Sequence, residues 1–91
     1  MKRLKKRIEI TNRLGMHARA SALLVQTVNQ FSSDVKISKG DNVVNARSIM
    51  GVLTLGAAKG SEVRVEIRGE DAGEAMLAIE QLIEDKFRES D

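Results

Sequence analysis

The chain has 91 residues, 42 % of them hydrophobic and 31 % charged, with 15 basic and 13 acidic side chains and a net charge of +2. That suits a single domain over residues 1–91 with one modest core, and leaves little room for a deep catalytic cleft. With no Cys, Trp or Tyr and only two Phe, disulfides and thiolate metal sites are excluded, stacking on single-stranded nucleic acid is all but excluded, and the core has to be aliphatic.

The elements follow in chain order. The start, MKRLKKRIEI, is basic but lacks the apolar stretch of a signal peptide. Its cluster of Lys2, Arg3, Lys5, Lys6 and Arg7 reads as the solvated lead-in to a strand, with a nucleic-acid or acidic partner as the alternative. From Leu4 to Thr11, apolar Leu4, Ile8 and Ile10 alternate with polar residues, the mark of a half-buried strand. NRLG turns. Ala20, Leu23, Leu24, Val28 and Phe31 then form one apolar stripe at helical spacing. Val35 and Ile37 mark a second strand and NVVN a third, with Lys39-Gly40-Asp41 as the hairpin connection.

Ser48 opens SIMGVLTLG as an N-cap, so a short helix is expected there, with Gly51 as its weak point. Val63, Val65 and Ile67 alternate in a fourth strand. In GEDAGE, Asp71 and Glu74 have the spacing of a capping box. The last helix presents Ala75, Ile79, Leu82 and Ile83 on one face, with Met76 and Phe87 beside them. The order is β-α-β-β-α-β-α. Because every strand buries one face only, the expected fold is α+β: an open-faced sandwich, with a four-stranded, mainly antiparallel sheet and three helices on one side.

His17, in GMHARAS, is the only histidine, and it sits where a loop becomes a helix. The unpaired N–H groups and positive dipole end of such a terminus disfavour an imidazolium and favour an anion. A neutral ring there is a nucleophile. Backbone N–H groups at Ala18 and Arg19 are a cradle for phosphate, and the Arg19 guanidinium is a clamp. The plainer alternative is a surface histidine acting as a poor cap. One histidine without partners cannot build a metal site. GAAKGS lacks the spacing of a phosphate-binding loop, so no bound nucleotide or other cofactor is expected. Ile49, Met50 and Leu53 are either core residues or an exposed docking patch, and Val52 is assigned to the core.

GMHARAS, NARSIMGVLTLGA at 45–57 and GEDAGEA at 69–75 resemble, in order and interval, the histidine-containing phosphocarrier HPr family of the bacterial sugar phosphotransferase system. The resemblance runs from about Ile8 to Leu82. It implies a cytoplasmic, monomeric covalent carrier rather than an independent catalyst. Phospho-enzyme I would load His17, usually at Nδ1, and EIIA domains would unload it. Arg19 would stabilise the phosphoryl group. Ser48 would be modified by an HPr kinase/phosphorylase. Met16, Arg47, Ile49, Met50 and Leu53 would contribute to the partner surface. The resemblance implies no nucleic-acid partner and no membrane insertion. A regulatory or nitrogen-branch relative, acting through partner binding, is the alternative. Two departures are visible: Ala20 and Ser21 replace the family's Pro-Ala, and Gln26 and Asn29 stand where many relatives carry lysine.

Overall fold

Four alternating segments and three helical stripes build the expected order of elements. The computed structural model describes residues 2–89. They form β1 (Lys2–Glu9), α1 (Ala18–Val28), β2 (Asp34–Lys39), β3 (Asn42–Asn45), α2 (Ile49–Leu53), β4 (Glu62–Gly69) and α3 (Ala72–Glu84), followed by a tight turn at Lys86–Arg88. The sheet runs β1-β4-β2-β3, and every neighbouring pair is antiparallel.

The period of two along each strand decides which face is covered. On β4, Val63, Val65 and Ile67 are buried, while Arg64 and Arg68 point to the open face. With Val35 and Ile37 of β2 they make the sheet side of the core, against Ala20, Leu24 and Val28 of α1 and Ala75, Ile79, Leu82 and Ile83 of α3. Val25 and Ser21 are also buried on α1, whereas Leu23 and Phe31 of the expected stripe are only partly buried against the core. On the open face, Glu66 lies in register between Lys5 and Lys36 and pairs with Arg3 at 2.6 Å. Opposite charges in adjacent strands are mutually supportive.

Strand β1 differs from its sequence expectation. It begins earlier and ends at Glu9. It is an edge strand, so Leu4 remains 37 % exposed and only Ile8 packs partly against the core. Ile10, past the strand's end, is fully buried. Its backbone is held by Ile10 N to Ser61 O at 2.8 Å and Gly60 N to Ile10 O at 2.7 Å. The basic run is partly neutralised within the chain, since Lys6 reaches Glu80 on α3 at 2.6 Å.

The capping box at Asp71 does not form. Asp71 is the N-cap of α3, but its side chain makes no cap hydrogen bond. Its carboxylate instead accepts from Ser32 N at 2.9 Å, from Ser33 N at 3.0 Å and from the Ser33 hydroxyl. Three donors from the α1–β2 loop outcompete the local cap, and they tie that loop to the start of α3. The Ser33 hydroxyl foremost, then the Ser32 N–H, holds the Asp71 carboxyl below its ordinary range despite the opposing effect of burial. A carboxyl depressed in the folded state stabilises it above the unfolded pKa, and that contribution fades as pH falls through the folded value. Melting temperature is therefore expected to drop below about pH 4, and Asp71→Asn should flatten that acid limb in a thermal melt series.

Candidate functional site

The loop before α1 is fixed at both ends before it reaches His17. The Asn12 side-chain amide donates to Gly15 O at 2.7 Å, which closes the NRLG turn. Gly15 has φ +66°, and a Cβ on it would lie 2.6 Å from Ala57 O. Only glycine allows the backbone this close, and Met16 N takes the same carbonyl at 2.8 Å. Met16 itself is 5 % exposed. That corrects its assignment to the partner surface: the side chain anchors the loop in the core, because the tight approach at Gly15 turns it inward.

His17 is the N-cap of α1, with extended backbone angles and no side-chain cap bond. Its carbonyl accepts the first helical bond, from Ser21 N at 2.8 Å. The N–H groups of Ala18 and Arg19 lie in the first turn, where a helix supplies no acceptor of its own, and that turn contains no acidic residue. Arg19 is exposed. Ser21 is not a further donor to this end: it is fully buried, with its hydroxyl turned to Met16 O at 3.4 Å. Ala20, at the position of the missing proline, is also fully buried.

The His17 side chain is 27 % exposed, and its Nε2 lies 3.2 Å from Glu89 Oε2. Glu89 follows the turn at Lys86–Arg88, in which all three residues have left-handed φ of 54°, 53° and 60°. Such angles are uncommon for bulky residues. Here the buried Phe87, 1 % exposed, pins the turn into the core. The segment from Phe87 to Glu89 is thereby folded back towards the loop that carries His17. Asn12 donates to Glu89 Oε2, and Leu14 N approaches Oε1 at 3.4 Å. Hydrogen bonding from Asn12, foremost, holds the Glu89 carboxyl below its ordinary range; it outweighs the effect of burial, with Leu14 N–H and His17 adding to it.

Helix α2 packs beside α1. Ser48 caps it as expected, accepting from Gly51 N at 3.0 Å. Gly51 is more than a weak point: a Cβ there would press on Ser48 Oγ at 3.2 Å and Val44 Cβ at 3.3 Å. Val52 is buried and Leu53 half-buried, while Ile49 is exposed and Met50 is 73 % exposed. The last two thus stand on the surface at the start of α2, and Leu14, in the loop before His17, is exposed as well. Arg47 is half-buried, and its guanidinium is engaged within the chain: it donates to Asn29 Oδ1, Phe31 O and Ser33 O at 2.8–2.9 Å. Carbonyls left over at the end of α1 need donors, and a planar fork meets several at once.

Together these features define a class: a small open-faced sandwich presenting one imidazole at an uncapped helix N-terminus, with exposed apolar residues on the helix α2 packed against α1. Comparison with known proteins is more specific. A family profile described as "PTS HPr component phosphorylation site" matches residues 4–85. The phosphocarrier protein HPr of Xylella fastidiosa is 48 % identical over 86 residues, which is 94 % of this chain and 97 % of that protein. That of Neisseria meningitidis is 49 % identical over 88 residues, covering 97 % and 99 %. The crystal structure of an HPr from Thermoanaerobacter tengcongensis superposes with a TM-score of 0.88 at 46 % identity, covering 99 % of each chain. The chain belongs to the HPr family of phosphocarriers of the phosphotransferase system. Among the described residues, no helix is long and apolar enough to cross a membrane.

Proposed function

We propose that this phosphocarrier accepts its phosphoryl group on His17 from phospho-enzyme I and passes it to EIIA domains of sugar transporters, working as a cytoplasmic monomer. The observation that carries the reading is the uncapped start of α1 directly behind an accessible imidazole. A ring nitrogen lone pair attacks phosphorus while the donor's bond to phosphorus breaks, and the leaving group departs with that electron pair. The added negative charge meets the N–H groups of Ala18 and Arg19 and the Arg19 guanidinium. A helix end contributes only about 0.3–1 kcal/mol at an exposed site. That is enough to shelter the group and too little to trap it, as suits a carrier that must give it up.

The test is reconstitution. With phosphoenolpyruvate, enzyme I and an EIIA domain, EIIA should become phosphorylated only when this chain is present. Labelled EIIA in its absence, or none with it, contradicts the reading.

Ser48 is the proposed regulatory position. A phosphate there adds roughly −1.5 to −2 charges beside Ile49 and Met50, on the proposed docking surface, whose partners we take to be acidic. The helix end tolerates that charge and the partner does not. Ser48→Asp is expected to lower kcat/KM for transfer from enzyme I about tenfold, by weakened electrostatic steering. An unchanged value in a stopped-flow or coupled assay removes Ser48 from regulation. A regulator that works by binding alone leaves the open His17 site without a role; a nitrogen-branch carrier shares the His17 chemistry and is separated by which enzyme I and EIIA domain exchange phosphate with this chain.

A further inference from the structure

We infer that Glu89 is a positioning residue for the His17 ring, one that reserves Nε2 for a proton and leaves Nδ1 as the only nitrogen that takes phosphate. The inference rests on the carrier reading above. A neutral imidazole has one N–H donor and one lone-pair acceptor. A carboxylate can only accept, so Glu89 Oε2 at 3.2 Å from Nε2 requires the proton to be on Nε2. The lone pair is then on Nδ1. An incoming phosphoryl group on the Nε2 side would also meet the Glu89 carboxylate head on, with like charges in contact.

Nothing in this arrangement is loose. The Glu89 side chain is only 8 % exposed. Asn12 holds Oε2, and the Leu14 N–H approaches Oε1. Asn12 is itself fully buried and fixed to Gly15 O. Phe87 seats the left-handed turn that delivers the residue. The carboxylate also has a role during transfer. When Nδ1 attacks, the N–P bond forms, the donor's bond to phosphorus breaks, and Nε2 keeps its proton. The ring becomes cationic, and the Glu89 carboxylate faces that charge. When the phosphoryl group leaves, the same proton remains and the leaving group is a neutral imidazole.

Phosphoramidate, a small chemical donor, tests this on the full chain without enzyme I. Nδ1 attacks its phosphorus, the P–N bond of the donor breaks and ammonia leaves. The position of phosphate in the initial product is read by ³¹P NMR. The wild type is expected to carry it on Nδ1. Glu89→Gln keeps the size and, because Asn12 and Nε2 meet the same oxygen, still accepts from both; it removes only the negative charge. Glu89→Ala removes the contact. Glu89→Ala should raise the ratio of Nε2 to Nδ1 product about tenfold or more, the worth of one hydrogen bond to a charged group, and Glu89→Gln, which keeps the bond but loses the charge, should raise it less. An unchanged ratio in Glu89→Ala, or a wild type carrying phosphate mainly on Nε2, overturns the inference. The carrier reading is judged separately by phosphoenolpyruvate and enzyme I, so the two failures are distinguishable.

Discussion

Replacing His17 with alanine is expected to reduce phosphoryl acceptance from enzyme I to background while leaving the fold nearly untouched. The two halves of that result have different causes. His17 is the only imidazole in the chain, and no cysteine is present to act as a substitute nucleophile. The structural cost is small because the side chain makes no cap bond at α1 and is partly exposed rather than packed in the core. What is lost is the Nε2 contact to Glu89, so the melting temperature should fall by about 5 °C while the domain stays folded. Circular dichroism and a thermal melt, run beside the transfer assay, separate the two effects. Residual transfer in a folded His17→Ala protein would place the acceptor elsewhere.

Gly15→Ala should do the reverse and damage the frame first. Its φ of +66° costs an L-residue, and a Cβ would stand 2.6 Å from Ala57 O and 2.9 Å from Ala58 Cα. Those are backbone atoms, which cannot swing aside as a flexible side chain can. The left-handed angle alone costs about 1–2 kcal/mol, and with the collision the loss should reach about 2–4 kcal/mol. For a domain of this size that lowers the melting temperature by about 10 °C or more. Relief of the clash requires the loop to move off Ala57, which breaks the Met16 N to Ala57 O bond and displaces His17. Transfer should therefore fall as well. Gly56→Ala is the control. Its φ is +57°, but nothing lies within 4 Å of the added Cβ. Only the dihedral cost remains there, about 1 kcal/mol. Equal melting temperatures for the two variants would show that the Gly15 approach does not fix the loop.

The architecture was legible because its signals are local and periodic. Alternation at Val63, Val65 and Ile67 needs no tertiary knowledge to mark a half-buried strand, and Ser48 announces a helix start by its own side chain. His17 was legible as a cap position for the same reason. What failed were contacts decided at long range. Asp71 looked like one half of a capping box, yet it serves Ser32 and Ser33, which lie in another loop. Arg47 looked like surface charge, yet the end of α1 needed its donors. Met16 has a place on the partner surface by resemblance alone; the approach of Gly15 to Ala57 explains why it is buried.

Glu89 was missed altogether, for a physical reason. It lies 72 residues from His17 in sequence, beyond a run, KFR, that adopts left-handed angles none of its residues favours. The one available signal was Phe87, an aromatic residue just past the end of an amphipathic helix. Its burial was expected, but a buried side chain after α3 also obliges the chain to turn back, and that consequence points to the loop carrying His17. Asn12 belongs to the same lesson. In NRLG it reads as a turn residue, which it is, while its remaining amide hydrogen reaches the far end of the chain.

The central claim is that one imidazole at the open end of α1 carries the phosphoryl group. Intact mass spectrometry of the wild-type chain, after incubation with phosphoenolpyruvate and enzyme I, tests it directly when followed by fragmentation under neutral conditions. The account predicts a single phosphoryl adduct, lost on brief acid treatment and located on His17. An acid-stable adduct, or a phosphoryl group located on Ser48 or any residue other than His17, would contradict it.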